Sequence, residues 1–368
     1  MKSSPTFKFP FKSLVVLFFG LSLLGSNHIC AQENFQQKRT SYFVLPLAFY
    51  LPETNLGFGA AGNYSFLWPN QNIGDRPSSL TLGFAYTLNK QILFYIPYNI
   101  FFKEEEYWIK GELGYYDFIY QYFGVGNENR IEEEKYAAKF PRIELDALKR
   151  VKPNLYIGIN YRFDDMNLSD FKPSGNLESG TTLGVDGGIT SGVGPMLIYD
   201  SRDHINWPTK GILLESRFFY NTSILGADYE ASYFEFYISK YFAHKKNVLA
   251  LNFISRNSFG EVPFYELAFY GGGKRSRGYL KGGFRDKNVY ILQAEYRVPI
   301  WKRLGGVIFA NGGGVYQNTE DINLNNFLPA AGIGLRYEID KNQKINIRFD
   351  VGFGKNSVEF YFTFKEAF

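Results

Sequence analysis

Apolar and polar residues alternate along most of the chain from about residue 40 onward. In the segment 80–88, every second residue is large and apolar, namely Leu80, Leu82, Phe84, Tyr86 and Leu88. The same alternation recurs over 155–164 and 344–353. Successive side chains of a β-strand point to opposite sides of the sheet. The pattern therefore predicts strands that each have one apolar and one polar face.

About sixteen such segments can be counted, and an even number of strands is what a closed bacterial barrel requires. They lie at 40–50, 54–68, 76–89, 90–102, 105–118, 136–149, 153–164, 191–201, 211–223, 228–242, 247–258, 288–301, 305–317, 330–339, 344–353 and 358–368. We expect an all-β fold, a single 16-stranded antiparallel transmembrane β-barrel. Closure matters because an open sheet edge finds no water in lipid for its N–H and C=O groups.

The aromatic content favours a membrane barrel over a soluble all-β protein. Aromatic residues make up 19% of the chain, with 28 Tyr and 37 Phe. Outer-membrane barrels carry aromatic girdles at both interfaces. No stretch approaches eighteen uninterrupted apolar residues, so we expect no transmembrane helix. The alternative is a large soluble sandwich or propeller, in which the apolar face would form the core.

The first residues have the pattern of a secretory signal peptide. Three lysines precede an apolar run over 14–24, and Ala31 offers a cleavage site. We expect a signal peptide over 1–31, a short periplasmic lead over 32–39 and the barrel over 40–368. Cleavage would remove Cys30, the only cysteine, and with it thiol chemistry. Cleavage would also lower the net charge from +4 to about +1, which argues against a nucleic-acid partner.

The alternation stops at a long, cationic, glycine-rich stretch, Gly271-Gly272-Gly273-Lys274-Arg275-Ser276-Arg277-Gly278-Tyr279. Consecutive glycines allow backbone conformations with positive φ that other residues resist. One interpretation is an ordinary mobile extracellular loop in which Arg277 is solvated. The other is a loop that folds into a barrel, where a buried arginine persists only if it is paired. On strand 288–301, Glu295 shares the polar face with Gln293 and Arg297, and is therefore the expected partner.

Arg277-Gly278-Tyr279 after a Gly-Gly run resembles the Arg-Gly-Phe/Tyr motif of BamA/TamA-type outer-membrane assembly barrels, also called the bacterial surface antigen family. Three further motifs are similar to those of this family. They are Asp200-Ser201-Arg202-Asp203 with Pro208-Thr209-Lys210-Gly211, Glu295-Tyr296-Arg297-Val298-Pro299, and the carboxy-terminal run from Arg348 to Phe368. Together the motifs cover about half of the chain, roughly residues 190–368.

The resemblance implies that the loop is the sixth extracellular loop and that it folds into the lumen. It also implies a second partner for Arg277 in a Phe-x-Asp-x-Gly motif, which reads Phe309-Ala310-Asn311-Gly312-Gly313 here. Asn311 can accept a hydrogen bond from Arg277 but brings no charge. Only a few residues precede the first strand, so we expect a form of the family without POTRA domains.

The function implied by the resemblance is assembly, insertion or surface translocation of other outer-membrane proteins. The expected partners are outer-membrane lipid, client proteins and periplasmic assembly factors. A free first strand could receive a client strand by β-augmentation. The alternative is a passive or plugged channel, because a barrel of this size is wide enough to hold water.

The remaining polar residues suggest no catalysis, and we expect no enzyme, no cofactor and no metal site. Asp200, Arg202 and Asp203 could form a carboxylate pair or a cation site, but local hydrogen bonding in a turn is the better explanation of them. The chain has no Gly-x-Ser-x-Gly elbow, no His-x-x-His pair and no P-loop. Phe368 lies on the apolar register of the last strand and resembles the carboxy-terminal signal by which outer-membrane assembly machinery recognises its clients; it could equally be a girdle aromatic.

Overall fold

A computed structural model describes residues 39–51, 55–72, 75–127, 131–341 and 343–368 of the chain. The expected signal peptide, Cys30 and nearly all of the short lead lie outside these residues. In the described part the chain is almost entirely β-structure, with three single-turn 3-10 helices at Ser223–Leu225, Phe264–Glu266 and Thr319–Asp321. No helix of the described part is long and apolar enough to cross a membrane.

Sixteen strands form one sheet, and two short strands form a separate ladder. In chain order the eighteen are β1 Thr40–Leu51, β2 Asn55–Phe66, β3 Ser78–Thr87, β4 Ile92–Phe102, β5 Tyr107–Tyr122, β6 Glu134–Lys152, β7 Leu155–Ser169, β8 Gly188–Asp200, β9 Gly211–Asn221, β10 Ala231–His244, β11 Asn247–Gly260, β12 Ala268–Tyr270, β13 Phe284–Asp286, β14 Asn288–Trp301, β15 Leu304–Tyr316, β16 Ala330–Asp340, β17 Ile345–Gly354 and β18 Ser357–Phe364.

The large sheet is an antiparallel meander in which each strand pairs with its neighbours along the chain. The one interruption is between β11 and β14, which pair directly because the chain between them leaves the sheet. That excursion contains the short β12–β13 ladder. The expected sixteen-stranded antiparallel architecture is thereby confirmed.

The two faces of the sheet differ as the alternation predicts. Apolar side chains of alternate residues are exposed, and among them are Leu80, Leu82, Phe84, Tyr86 and Leu88. On the opposite face the charged residues of β14 to β17 are buried, including Glu295, Arg297, Arg336, Arg348 and Asp350. This arrangement is the reverse of a water-soluble protein, whose buried side chains are mainly apolar. It is the arrangement of a barrel whose outer face contacts lipid and whose inner face is polar.

The barrel expected from the even number of strands is not closed by hydrogen bonds. Within the described residues, β1 pairs only with β2, and β18 pairs only with β17. The two end strands are nevertheless close, since the ring centroids of Phe43 and Phe364 are 6.1 Å apart. Ser41 on β1 also donates a hydrogen bond to Asp340, at the end of β16. We call this unpaired junction between β1 and β18 the seam.

The last strand is shorter than the alternation predicts. The expected strand 358–368 ends at Phe364, so β18 has 8 residues while β1 has 12. Residues 366–368 are buried, although the alternation would leave Phe368 exposed to lipid. The expectation that Phe368 lies on the lipid-facing register is therefore wrong. Phe364 lies beside Phe43, so the first residues of β1, before Phe43, have no residues of β18 beside them with which to pair.

Candidate functional site at the Arg277 loop

The connection over 261–287 is anchored on the polar face of the sheet, and we call it the Arg277 loop. Its glycines provide the turns that the sequence predicts. Gly271, Gly272 and Gly278 have φ angles of 106°, 100° and 110°, in the region that side chains with a Cβ disfavour. A Cβ at Gly271 would lie 2.0 Å from the carbonyl oxygen of Leu280. The loop therefore folds back on itself tightly enough to place Arg277 against the sheet.

Arg277 is completely buried and contacts two carboxylates. One Nη atom forms an ion pair with Glu295 on β14, and the other lies 2.8 Å from Oδ2 of Asp350 on β17. The guanidinium carbon is 3.6 Å from the ring centroid of Phe309 on β15. A planar cation between two carboxylates and over an aromatic face is held by three different interactions. The interpretation in which Arg277 is solvated does not describe this structure.

Arg277 belongs to a larger buried charge cluster, which we call the arginine cluster. Its four cations and three carboxylates are Arg277, Arg297, Arg336, Arg348, Glu295, Asp350 and Glu366. Arg297 Nε lies 2.9 Å from Glu295, and Arg336 lies 2.8 Å from Glu366 and 2.5 Å from Asp350. Each carboxylate contacts at least two arginines. The attraction within such buried ion pairs offsets the cost of removing the charges from water only while both partners of each pair are present.

Asn311 contacts Arg277 in a different way from the one expected. Its Nδ2 donates to the main-chain oxygen of Arg277 at 2.9 Å, and its Oδ1 accepts from the hydroxyl of Tyr270. The expectation that Asn311 accepts a hydrogen bond from the Arg277 side chain is therefore wrong. The second acidic partner is Asp350, which the sequence analysis did not identify. Its spacing to Gly352, in Asp350-Val351-Gly352, matches the end of the Phe-x-Asp-x-Gly pattern and could have indicated it.

Gly278 and Tyr279 attach the loop to the last three strands. The main-chain N–H of Gly278 donates to the hydroxyl of Tyr361 at 3.0 Å, and that hydroxyl donates to the carbonyl of Tyr279 at 2.9 Å. The Tyr279 hydroxyl donates to the carbonyl of Pro329 at 2.8 Å. A Cβ at Gly278 would lie 2.7 Å from Cβ of Ala330. The Arg-Gly-Tyr sequence thus combines a charged anchor, a residue without a side chain and an aromatic anchor.

Other parts of the loop contact strands that precede it in the chain. Glu266 is buried and accepts hydrogen bonds from Arg162 on β7 at 2.8 Å and Arg256 on β11 at 3.2 Å. Arg285 donates to the carbonyl of Gln121 on β5 at 3.1 Å. The loop therefore contacts strands in both halves of the sheet.

Replacing Gly352 by alanine should displace the loop from β17. A Cβ at this position would lie 2.5 Å from the main-chain nitrogen of Gly278 and 2.8 Å from the carbonyl carbon of Arg277. We expect a loss of about 1–3 kcal/mol in the free energy of unfolding, as for overpacked sites, and faster tryptic cleavage within 271–287. Gly305→Ala is the matched control, because its Cβ would have no neighbour closer than 3.3 Å. Equal cleavage rates in both variants would contradict a tightly docked loop.

The carboxy-terminal residues join the arginine cluster instead of the lipid face. Glu366 accepts hydrogen bonds from Arg336 at 2.8 Å and from Asn346 at 3.0 Å. The main-chain oxygen of Phe368 accepts from Arg297 at 2.8 Å, and the Phe368 ring centroid is 5.6 Å from the same guanidinium. The structure thus gives Phe368 a packing role against Arg297. Its expected role as an assembly signal remains a prediction.

The predicted turn residues lie in and beside the connection between β8 and β9. Asp200 is fully buried and accepts from Arg202 at 2.8 and 2.9 Å and from Arg76 at 3.1 Å. Asp203 caps the turn by accepting from the main-chain N–H of Thr209 at 2.8 Å. Burial alone would raise the pKa of Asp203, but the hydrogen bonds from Thr209 and Lys210 hold it below its usual value. Asp203 agrees with the turn interpretation, whereas Asp200 also ties the distant Arg76 to this turn.

His204, in the same turn, has a structural role. Its Nδ1 accepts from the main-chain N–H of Asn206 at 3.2 Å. Burial, reinforced by the positive charge of Lys344, lowers the pKa of His204 to about 4. The neutral imidazole therefore serves as an acceptor at physiological pH. Across the described ranges, no group of three or more His, Cys, Asp or Glu residues is arranged to hold a metal ion.

Comparison with known families and structures gives a consistent result. The Omp85 superfamily domain matches residues 61–368. The crystal structure of BamA from Haemophilus ducreyi lacking POTRA domains 1-3 is similar, with a TM-score of 0.56 and 15% identity, over 89% of this chain and 70% of that chain. No curated protein sequence matches the chain.

Two structures of CdiB are also similar. CdiB from Escherichia coli has a TM-score of 0.56 and 12% identity, over 88% of this chain and 62% of that chain. CdiB from Acinetobacter baumannii has a TM-score of 0.51 and 12% identity, over 89% of this chain and 60% of that chain. The chain therefore spans less than two thirds of the length of these CdiB structures. At such low identities the structural likeness shows the fold alone.

Proposed function

The chain belongs to the Omp85 superfamily, and from this premise we propose that it inserts or translocates other proteins at the bacterial outer membrane. It is an outer-membrane protein with the BamA-type barrel fold. The observation that carries the proposal is the seam, where β1 and β18 lie close together without a ladder between them. Unpaired N–H and C=O groups on a strand edge are a template for another strand.

In the proposed mechanism, β1 offers its free edge to a strand of the client. Main-chain hydrogen bonds form between the two, and they satisfy groups that lipid cannot satisfy. The short β18 leaves room for this exchange, because it lacks the residues that would pair with all of β1. Further client strands would then be added next to the first before the client separates.

The Arg277 loop has a supporting role in the proposal. Its contacts with β5, β7, β14 and β17 favour a position in the lumen. There it would stabilise the polar inner face of these strands. A rigid wall on the β14–β17 side and an unpaired seam next to it would confine opening to one place. We infer that the arginine cluster keeps the last strands in register while the seam exchanges partners.

Deletion of the gene in the native bacterium tests the proposal. We expect a subset of outer-membrane or surface proteins to fall several-fold in abundance, measured by quantitative mass spectrometry of the outer membrane. Complementation with the wild-type gene should restore the same subset. Total protein synthesis, measured in the same cells, controls for a general growth effect. If no outer-membrane or surface protein changes in abundance, the assembly function is wrong.

A further inference from the structure

An open apolar groove of about 480 Å³ crosses the outer face of β10, β11, β14 and β15. Small residues form its floor and larger apolar residues form its sides; it is lined by Ala294, Ala310, Gly312, Leu251, Leu292 and Phe327. We call this groove the alanine trough. It lies on the lipid-facing side of the sheet, on the surface opposite to the arginine cluster.

The floor of the trough follows one row of paired residues across four strands. Lys240 pairs with Leu251, Leu251 with Ala294, and Ala294 with Ala310. Directly opposed residues in an antiparallel sheet point to the same face, so these four side chains all point outward. Neighbouring strands are about 4.8 Å apart, and the row is therefore roughly 14 Å long. A cation stands at one end of it and alanines at the other.

Phe327 bounds the trough at the end away from Lys240. Its ring packs over Gly312 on β15, where a Cβ would lie 2.2 Å from the ring. Any side chain at Gly312 would therefore push the ring away from the sheet. Because Gly312 has no side chain, the Phe327 ring can pack against the strand and form a wall of the trough.

Lys240 is an unusual residue on a lipid-facing surface. It is half-buried, and none of the described acidic residues forms an ion pair with it. By contrast, Lys139 on β6 lies 3.2 Å from Asp117. The Nζ of Lys240 lies 5.6 Å from the ring centroid of Phe242, the next outward-facing residue toward the turn at 245–246. A charged lysine on this face is tolerated when its amine reaches the headgroup layer.

We propose that the alanine trough holds an acyl chain of one glycerophospholipid, whose phosphate is bound by Lys240. The trough is apolar along the row from Leu251 to Ala310, and Leu292 borders it on one side. Its one charged group is the Lys240 amine, which lies toward the end of β10 at His244. A headgroup phosphate would lie at this end of the trough. This site is separate from the seam, so it does not depend on the proposed assembly function.

Native mass spectrometry of the purified full chain in detergent tests the proposal, with dioleoylphosphatidylglycerol as the added lipid. We expect the wild-type protein to retain one lipid per chain. Lys240→Met should lower the retained fraction about fivefold, since one cation near a headgroup contributes about 1 kcal/mol. Ala310→Phe fills the trough and should lower the retained fraction at least about tenfold, because the chain loses several buried methylenes.

Matched controls are Lys246→Met, an exposed turn lysine, and Ala147→Phe, an outward-facing alanine of β6 outside the trough. Both should retain lipid as the wild type does. Heat-modifiable migration on gels verifies that each variant is folded, and Ala294→Phe serves if Ala310→Phe does not fold. Equal lipid retention by wild type and Ala310→Phe overturns the proposal. So does a dimer that Ala310→Phe dissolves, which would identify a second copy of the chain as the occupant.

Discussion

Replacing Asp350 by asparagine should lower the free energy of unfolding by about 3–5 kcal/mol, the range for breaking a buried ion pair. Asp350 contacts three arginines, with distances of 2.8 Å to Arg277, 2.5 Å to Arg336 and 3.4 Å to Arg348. Asparagine has nearly the same shape but no charge. Four buried guanidinium groups would then share two carboxylates. The measurement is urea unfolding of the purified barrel in lipid.

Arg277→Gln should cost less than Asp350→Asn, although the arginine is the residue that defines the loop. The arginine cluster has four cations and three carboxylates, so loss of Arg277 leaves equal numbers of each. Glu295 keeps Arg297 at 2.9 Å, and Asp350 keeps Arg336. The expected loss for Arg277→Gln is about 1–3 kcal/mol, the cost of hydrogen bonds to charged groups. The loop itself should be released, and trypsin should cleave it faster.

Asp170→Asn is the matched control for the charge change. Asp170 is exposed in the connection after β7, and asparagine tolerates its positive φ of 55°. This variant should unfold as the wild type does. An Asp350→Asn barrel no less stable than Asp170→Asn, or more stable than Arg277→Gln, would contradict the view that the cluster depends on its carboxylates.

Strand number and the orientation of both faces could be predicted from the sequence, because lipid imposes a strict period of two. The exposed row from Leu80 to Leu88 and the buried Glu295 both follow from that period. Glu295 as the partner of Arg277 also followed from it, since only alternate residues of β14 can face the loop. This alternation is set within a single strand, so it can be recognised in the sequence without knowing which distant strands lie close together.

Asp350 was missed because its position depends on the curvature of the whole sheet. It lies on β17, 73 residues after Arg277, and the two strands β15 and β16 separate it from the strand that carries Glu295. The sequence places Asn311 nearer, on the strand that follows Glu295. Sheet curvature instead brings β17 toward the guanidinium and leaves Asn311 to bind the main chain. The Asp-x-Gly spacing of Asp350 and Gly352 marks it as a candidate, but only the fold shows that it reaches Arg277.

Phe368 was assigned to the wrong face because the alternation of Phe360, Phe362 and Phe364 continues up to it. The competing partner is Arg297, which is fully buried, donates a hydrogen bond to the main-chain oxygen of Phe368 and contacts its ring. Leaving a buried guanidinium without a partner costs more free energy than is gained by placing one more aromatic side chain in lipid. The short β12–β13 ladder was missed for a different reason, since three residues are too few to show a period.

Locking the seam should abolish the proposed assembly activity. Cysteines in place of Phe43 and Phe364, whose ring centroids are 6.1 Å apart, can be joined by a short bifunctional thiol reagent. The chain would carry Cys30→Ser so that only the introduced thiols react. A cross-link between β1 and β18 holds the two edges together, so that a client strand cannot enter between them. Cells with the cross-linked protein should resemble the deletion strain in their outer-membrane proteome.

The control places the same cross-link where two strands are already paired. Phe349 and Phe360, on β17 and β18, have ring centroids 6.5 Å apart. Joining them leaves the seam unlocked and should not change client abundance. A cleavable reagent adds a second control, because reduction should restore activity in the Phe43–Phe364 variant. Normal assembly by the locked protein would mean that clients do not pass through the seam, and the free edge of β1 would then need another explanation.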